Sequence, residues 1–311
     1  MQYRTLGNTG LKVSVLGFGG SSLGSVFRAI DESEGIRTVH VALDNGINLL
    51  DTAPYYGATT AEQVLGKALR EIPRDKYYLA TKVGRYGDKP EEFDFSAQRV
   101  TRSVEESLQR LGVEYVDFIQ VHDMEFGDIE QIVGETIPAL RKVQEQGKAR
   151  FVGITCLPVK LLQQVMERSQ VDQIQSYCHY CLNDTALADR LPDIQKHGVG
   201  IFNSAPLSMR LLSDAGATDW HPASPELRAR CAQAARYCRE RGSDIGKLAL
   251  QFSVANPDIH TNIVGTANPQ RILQNIREIE EPLDEDLLAE VQQILKPIHN
   301  VTWLSGRPEN N

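Results

Sequence analysis

The chain has 311 residues, 41% of them hydrophobic and 24% charged, which is the composition of an ordinary globular protein. Its net charge of −8 and pI of about 5.5 argue against a nucleic-acid binder, which presents a basic face. No apolar run approaches the roughly 20 residues of a membrane helix, and "MQYRTLGNTG" lacks the hydrophobic core of a secretion signal, so a cytoplasmic protein that avoids the membrane is expected.

Along the chain, short β-branched runs alternate with amphipathic stretches. Val13–Phe18 reads as a strand, and "GFGGSSLG" (17–24) follows it. That turn is a near miss of G-x-G-x-x-G, with Ser22 at the third glycine, and a lone near miss is weak. A helical pattern over Ser33–Asn45 stops at Gly46. The strand Asn48–Thr52 runs into "DTAPYYG" (51–57), and a helix over Ala61–Arg70 follows. The next pairs are Tyr77–Val83 with Ala97–Leu111, Val116–His122 with Ile129–Glu145, Arg150–Thr155 with Leu161–Arg168, and Gln173–Cys178 with Leu187–His197. Gly112, Gly147 and Gly198 suit helix C-caps. After the strand Gly200–Ala205, residues 206–260 hold a loop and two helical stretches, an insert suited to covering a barrel mouth. Its arginine-rich part, "LRARCAQAARYCRERG" (227–242), reads as a solvated helix face. Thr261–Gly265 is the last strand, and a helix and tail occupy 284–311.

Eight β-runs with helices between them predict a (β/α)8 TIM barrel, with 1–311 as a single domain. A doubly wound open sheet is the alternative. In a barrel, Asp51, Lys82 ("LATKVG") and His122 ("FIQVHD") fall at the ends of successive strands, on the rim where such enzymes place their sites. On spacing alone, a buried ion pair and a hydrogen-bonded core histidine account for them equally well. A tyrosine changes the balance. An ordinary phenol has a pKa of about 10, and a nearby ammonium lowers it. Tyrosine, lysine, aspartate and histidine together make a metal-free proton-transfer site.

Five cysteines, an odd number, suit free thiols in a reducing cytosol. "CHYC" (178–181) has C-x-x-C spacing, but Cys231 and Cys238 supply no second pair at matching spacing, so no metal is expected. His122–Asp123 lacks a serine in a G-x-S-x-G elbow.

"LGNTGLKVSVLGFGG", "DTAPYYG", "LATKVG", "QVHD" and "GKARFVGIT" occur in the order of the aldo-keto reductase signatures, and the chain resembles that superfamily over roughly 3 to 297. The resemblance implies a (β/α)8 barrel closed at its bottom by an N-terminal β-hairpin. It implies hydride transfer between a nicotinamide cofactor and a carbonyl or alcohol carbon. Its tyrosine lies five residues after the aspartate, so the implied catalytic tetrad is Asp51, Tyr56, Lys82 and His122. Tyr55 is left as a pocket wall.

The implied cofactor residues are Gly19, Gly20, Ser21, Asp51, Thr155, Gln175, Ser204, Pro206, Leu207, Gly265, Thr266, Arg271 and Asn275. Three departures stand out. Thr155 and Cys156 replace the family's Ser-Asn pair. Ser204 replaces the tyrosine that stacks on the nicotinamide, and Arg210 replaces a glycine. Gly265 stands where NADP users carry a lysine, so NAD is expected, with NADP kept open by Arg271.

"DFSAQRV", "IVGETIPAL", "SYCHYCLND", "WHPASPEL" and "NVTWLSG" are similar to the family's sugar-oxidising branch, the plant L-galactose dehydrogenases and bacterial aldose 1-dehydrogenases. That implies a small-molecule sugar substrate oxidised at C1 to the lactone. Trp220, His179, Tyr180 and Trp303 are its candidate sugar contacts, alongside Tyr55 and His122. The rival readings are an NADPH-dependent aldehyde or ketone reductase on the same tetrad, and a nucleotide-sensing binding subunit. A monomer or small homo-oligomer is expected.

Overall fold

The split of the first apolar run organises the start of the chain. In the computed structural model, which describes residues 1–26 and 28–311, Val13–Phe18 is two strands rather than one. β1 (Tyr3–Thr5) and β2 (Lys12–Ser14) form an antiparallel hairpin, and β3 (Leu16–Gly19) belongs to the barrel. The break falls at Val15. The Asn48 side chain accepts from the Ser14 amide at 2.8 Å, and the Val15 carbonyl accepts from the Asn262 amide at 2.9 Å. These bonds turn the chain from the hairpin into the sheet. The hairpin closes one end of the barrel, where Leu6, Leu11 and Val13 pack on Leu49, Phe118 and Phe202. Gly7 is required there. Its φ is +45°, and a Cβ would lie 2.5 Å from the Gly198 carbonyl oxygen.

The remaining strands are β4 (Leu49–Asp51), β5 (Tyr78–Val83), β6 (Val116–Val121), β7 (Ala149–Cys156), β8 (Gln173–Tyr177), β9 (Gly200–Ser204) and β10 (Thr261–Gly265). With β3 they close in the order β10-β3-β4-β5-β6-β7-β8-β9, every pair parallel. This is the expected (β/α)8 TIM barrel.

Outside it run α1 (Glu32–Asp44), α2 (Thr60–Leu69) and α3 (Ala97–Leu111), the last capped by Ser96 and ended by Gly112 at φ +68°. The stretch read as one helix over Ile129–Glu145 is interrupted. α4 (Ile129–Gln131) passes through a π-turn at Ile132–Thr136 into α5 (Ile137–Glu145). Pro138 is the cause, because it has no amide to give the preceding turn. α6 (Val159–Arg168) and α7 (Leu191–Lys196) follow.

The insert supplies α8 (Pro225–Glu240) and α9 (Ile245–Ala255), and α10 (Pro269–Glu278) and α11 (Glu285–Leu295) complete the chain's helices. α8 buries Leu227, Cys231, Ala234 and Cys238 against α9 and α11 in a second apolar cluster. Arg239 is exposed, but Arg228 departs from the expected solvated face, being half-buried and donating to the Thr218, His221 and Ala223 carbonyls. Seven-residue spacing therefore places Cys231 and Cys238 on one packed face. All five cysteines are free and buried. Among the described residues no helix is long and apolar enough to cross a membrane.

Candidate active site

Parallel register brings the ionisable strand ends together. Asp51 pairs with Ala80, and Lys82 pairs with Gln120. Asp51, Lys82 and His122 are 2%, 1% and 4% exposed, so any charge among them must be compensated inside the protein. The compensation is complete. Lys82 Nζ donates to Asp51 Oδ1 at 2.8 Å, to Oδ2 at 2.7 Å and to the Thr52 carbonyl at 2.8 Å. Gln120 Nε2 donates to Oδ1 at 3.1 Å, and Gln175 Nε2 reaches Oδ2 at 3.5 Å and Ser204 Oγ at 2.7 Å. Gln120 was not singled out in the sequence. Its signal was the strand period of two, which puts it on the face of His122.

The two tyrosines differ in what holds their hydroxyls. Tyr55 donates to Asp88 Oδ1 at 2.6 Å, and its ring lies 3.7 Å under the Arg85 guanidinium. Tyr56 has no hydrogen-bond partner for its hydroxyl among the described residues, and it lines the cleft. Its ring centroid is 5.6 Å from that of His122, edge to face, and 5.1 Å from Lys82 Nζ.

The expectation that Lys82 lowers the Tyr56 pKa is corrected. Burial first, then the Asp51 charge, pushes the phenol well above its ordinary value. Lys82 gives its hydrogens to Asp51 and Thr52, and its charge does not offset burial and the Asp51 charge at the phenol. Burial likewise keeps the proton off His122, whose pKa falls to about 3. A neutral imidazole thus faces the phenol.

These groups form one part of a cleft of about 1080 Å³. Beyond them lies a polar rim. Arg85 donates to Asp123 Oδ2 at 2.6 Å and Asp88 Oδ1 at 3.0 Å. Tyr177 and Ser305 both bond Glu125. The mouth is apolar. Trp220 and Trp303 both line it and meet at His221, with ring centroids 6.3 and 4.9 Å from the imidazole. His221 was also missed. It is buried, accepting from the Ala223 amide and bonding the Ser208 carbonyl, and it sets the two indoles.

The other arm runs past Gly19, Ser21, Thr155, Gln175, Ser204, Pro206, Leu207, Gly265 and Thr266 to Arg271 and Asn275. Its features fit a dinucleotide. Gln175 Oε1 and Asn275 Oδ1 are buried acceptors without partners. Gly19 and Gly265 leave the β3–β10 edge bare, and a Cβ on Gly265 would come 3.1 Å from the Gly19 carbonyl oxygen. Thr155 Oγ1 accepts from the Asp123 amide at 3.0 Å.

Several predicted residues fall elsewhere. Gly20 turns toward β4, where a Cβ would lie 3.0 Å from the Asp51 carbonyl oxygen; Ser22 lines the cleft instead. Cys156 is buried, with its thiol on the Pro158 carbonyl. His179 and Tyr180 are not in the cleft. Cys178 takes φ +61° and turns the chain aside, after which His179 Nδ1 bonds Asp184 at 3.1 Å and Tyr180 stacks on Phe252 with centroids 5.3 Å apart. In "CHYC" the Cys181 thiol donates to the Cys178 carbonyl and to Asn183.

A model of the aldo/keto reductase family matches residues 15–296. The chain is 47% identical to L-galactose dehydrogenase of Arabidopsis thaliana, over 100% of this chain and 99% of that one. It is 34% identical to D-arabinose 1-dehydrogenase of Saccharomyces cerevisiae, over 78% of this chain and 76% of that one. Among solved structures, an aldo-keto reductase from Bacillus halodurans matches with a TM-score of 0.80 at 30% identity, covering 98% of each chain. The chain belongs to the aldo/keto reductase family and is an oxidoreductase that uses a nicotinamide cofactor.

Proposed function

We propose that this aldo/keto reductase oxidises an aldose of the L-galactose type at C1 to the aldonolactone, with NAD as the cofactor. One observation carries the reading: the unpartnered Tyr56 hydroxyl stands beside a neutral His122 in a cleft whose outer wall is made of indoles and hydroxyl-binding groups. Flat apolar faces beside acceptors and donors suit a sugar ring, which alternates C–H faces with hydroxyls. The similarity to L-galactose and D-arabinose dehydrogenases supports the same substrate class.

When bound, the nicotinamide supplies the hydride acceptor. Tyr56 Oη is the atom that takes the proton of the C1 hydroxyl. Its resting form is the phenol, because burial and Asp51 hold the proton on. Oxidation needs the phenolate, so it gains as pH rises; the reverse step uses the phenol as acid. His122, kept neutral by burial, orients the sugar oxygen without adding charge. Asp51 holds the Lys82 ammonium beneath the Tyr56 ring. Thr155, Gln175 and Ser204 would hold the nicotinamide end, and Arg271 and Asn275 the adenosine end.

Charge at the adenosine end favours NAD over NADP. Gly265 offers no cation, and Arg271 lies 3.8 Å from both Asp244 and Glu278. A 2′-phosphate there would meet a guanidinium already countered by two carboxylates. The resting phenol supports a second reading, an NADPH-linked carbonyl reductase.

A panel of L- and D-aldoses with NAD and with NADP, followed by absorbance of the reduced cofactor, tests both. Turnover of an L-galactose-type aldose with NAD is expected. A strong NADP preference, or no aldose turnover, overturns the proposal.

A further inference from the structure

Glu125 is fully buried, takes no part in the chemistry above, and ties the end of the chain to the cleft. It sits in the short 3-10 turn Met124–Phe126, just after His122 and Asp123. Its Oε1 accepts from the Ser305 hydroxyl at 2.9 Å, the Tyr177 hydroxyl at 3.1 Å and the Leu157 amide at 3.3 Å. Its Oε2 is buried without a partner. Its backbone carbonyl accepts from Asn310 Nδ2 at 2.8 Å and from the Arg307 amide at 2.9 Å. Gly306, at φ +79°, passes so close that a Cβ would lie 2.3 Å from that carbonyl oxygen. Asn310 and Arg307 also bond the Gly127 and Phe126 carbonyls, each at 3.0 Å. The residues stitched down in this way lie beside Trp303, Leu304, Ser305 and Gly306, which line the cleft together with Tyr177.

We propose that Glu125 is a positioning residue for the substrate, fixing Tyr177 and residues 303–306 as one wall of the sugar end of the cleft. The proposal rests on reading that end as the aldose site. Glu125 acts through the wall and does not touch the sugar.

Three donors meet Oε1, but Oε2 is buried with no donor to stabilise an ionised charge. Burial, then the Asp123 charge, pushes the Glu125 pKa up to about 8. The groups facing it are Asp123 on its own turn, Cys156 from β7, Tyr177 from β8, and on the tail Arg307, itself paired with Glu309; His221 meets Trp303 from the insert loop. Burial holds the Cys156 thiol and Tyr177 phenol well above their ordinary values. Burial opposes the Asp123 charge, but the Arg85 guanidinium that donates to it keeps its pKa below the usual carboxylate range. His221 is held below an ordinary histidine by burial.

The sign of the linkage follows. A Glu125 freed into water would ionise in the ordinary carboxylate range, so the docked wall binds the extra proton. Docking therefore weakens as pH rises from that range to about 8 and levels off above it.

Trp220→Phe leaves Trp303 as the sole tryptophan, because the chain has 2. In that background, Trp303 emission and the KM for the aldose are followed from about pH 5 to about pH 9, with and without E125Q. With Glu125 in place, emission is expected to shift to the red and KM to rise about tenfold by about pH 8. E125Q, a permanently neutral isostere, should flatten both while keeping the low-pH KM. E125A should raise KM about tenfold across the range with kcat changed less than about twofold. If E125A does not fold, N310A weakens the same seam from the tail side and should raise KM in the same direction.

Identical pH profiles with and without E125Q overturn the proposal, as does an E125A or N310A protein with unchanged KM. The emission arm needs no sugar turnover. An E125Q-sensitive shift in a protein that oxidises no aldose would sink the aldose reading and leave the anchoring role of Glu125 standing.

Discussion

The two ends of the cleft are built by different means. At the barrel end, Asp51, Lys82, Gln120 and His122 come from β4, β5, β6 and the residue after β6, in fixed register and almost wholly buried. Each polar atom there is placed by a backbone that the sheet holds. At the mouth, Trp220 and Trp303 come from the insert loop and the tail, and Trp220 and Leu304 are 53% and 84% exposed. That wall is set by a few side-chain bonds to Glu125 and by His221. In this arrangement the proton-transfer geometry is as rigid as the barrel, while the surface proposed to meet the sugar changes without disturbing it. That is the division expected of barrel enzymes, which vary substrate through loops.

The largest expected effect belongs to the buried end. Lys82→Ala leaves the Asp51 carboxylate buried without its ammonium, a loss of about 3–5 kcal/mol together with turnover. Urea denaturation beside Trp303→Ala checks this, and equal stability losses would erase the contrast between the two ends. Next is pH. Because burial keeps Tyr56 protonated, aldose oxidation should climb up to about tenfold per pH unit toward alkaline pH, the limit set by one proton. A flat kcat profile from neutral to alkaline pH would show that Tyr56 does not take the proton.

Gly265→Lys should move cofactor preference toward NADP by about tenfold, the worth of one charge-assisted bond to a phosphate. Dissociation constants for both cofactors measure it directly. The smallest change is at the mouth: Trp303→Ala should raise the KM for the aldose about threefold to tenfold and leave kcat alone. A fall in kcat with constant KM would move Trp303 into the chemistry.

The same contrast decides what could be read before the structure. Asp51, Lys82 and His122 each close an apolar run, so strand periodicity alone brings them to one rim. What Lys82 does to Tyr56 was not legible, because it depends on where the three ammonium hydrogens go, and they go to Asp51 and Thr52. His179 and Tyr180 follow a buried strand much as His122 does. A left-handed Cys178 diverts them, and nothing in its side chain announces that conformation. Glu125 meets Ser305 across 180 positions of sequence, with no local pattern to mark the contact. Strand ends are a local property of the sequence, whereas the mouth is made by distant segments meeting.

The central claim is that Tyr56, and not its neighbour, moves the proton. Turnover of the aldose and binding of NAD should be measured in parallel for Tyr56→Phe and Tyr55→Phe. The account predicts that Tyr56→Phe loses about a hundredfold to ten-thousandfold in kcat, the usual worth of a general base, and keeps its NAD affinity. Tyr55→Phe should retain most of kcat, because its hydroxyl is already engaged with Asp88. Near-native turnover in Tyr56→Phe, or a greater loss in Tyr55→Phe, would contradict it.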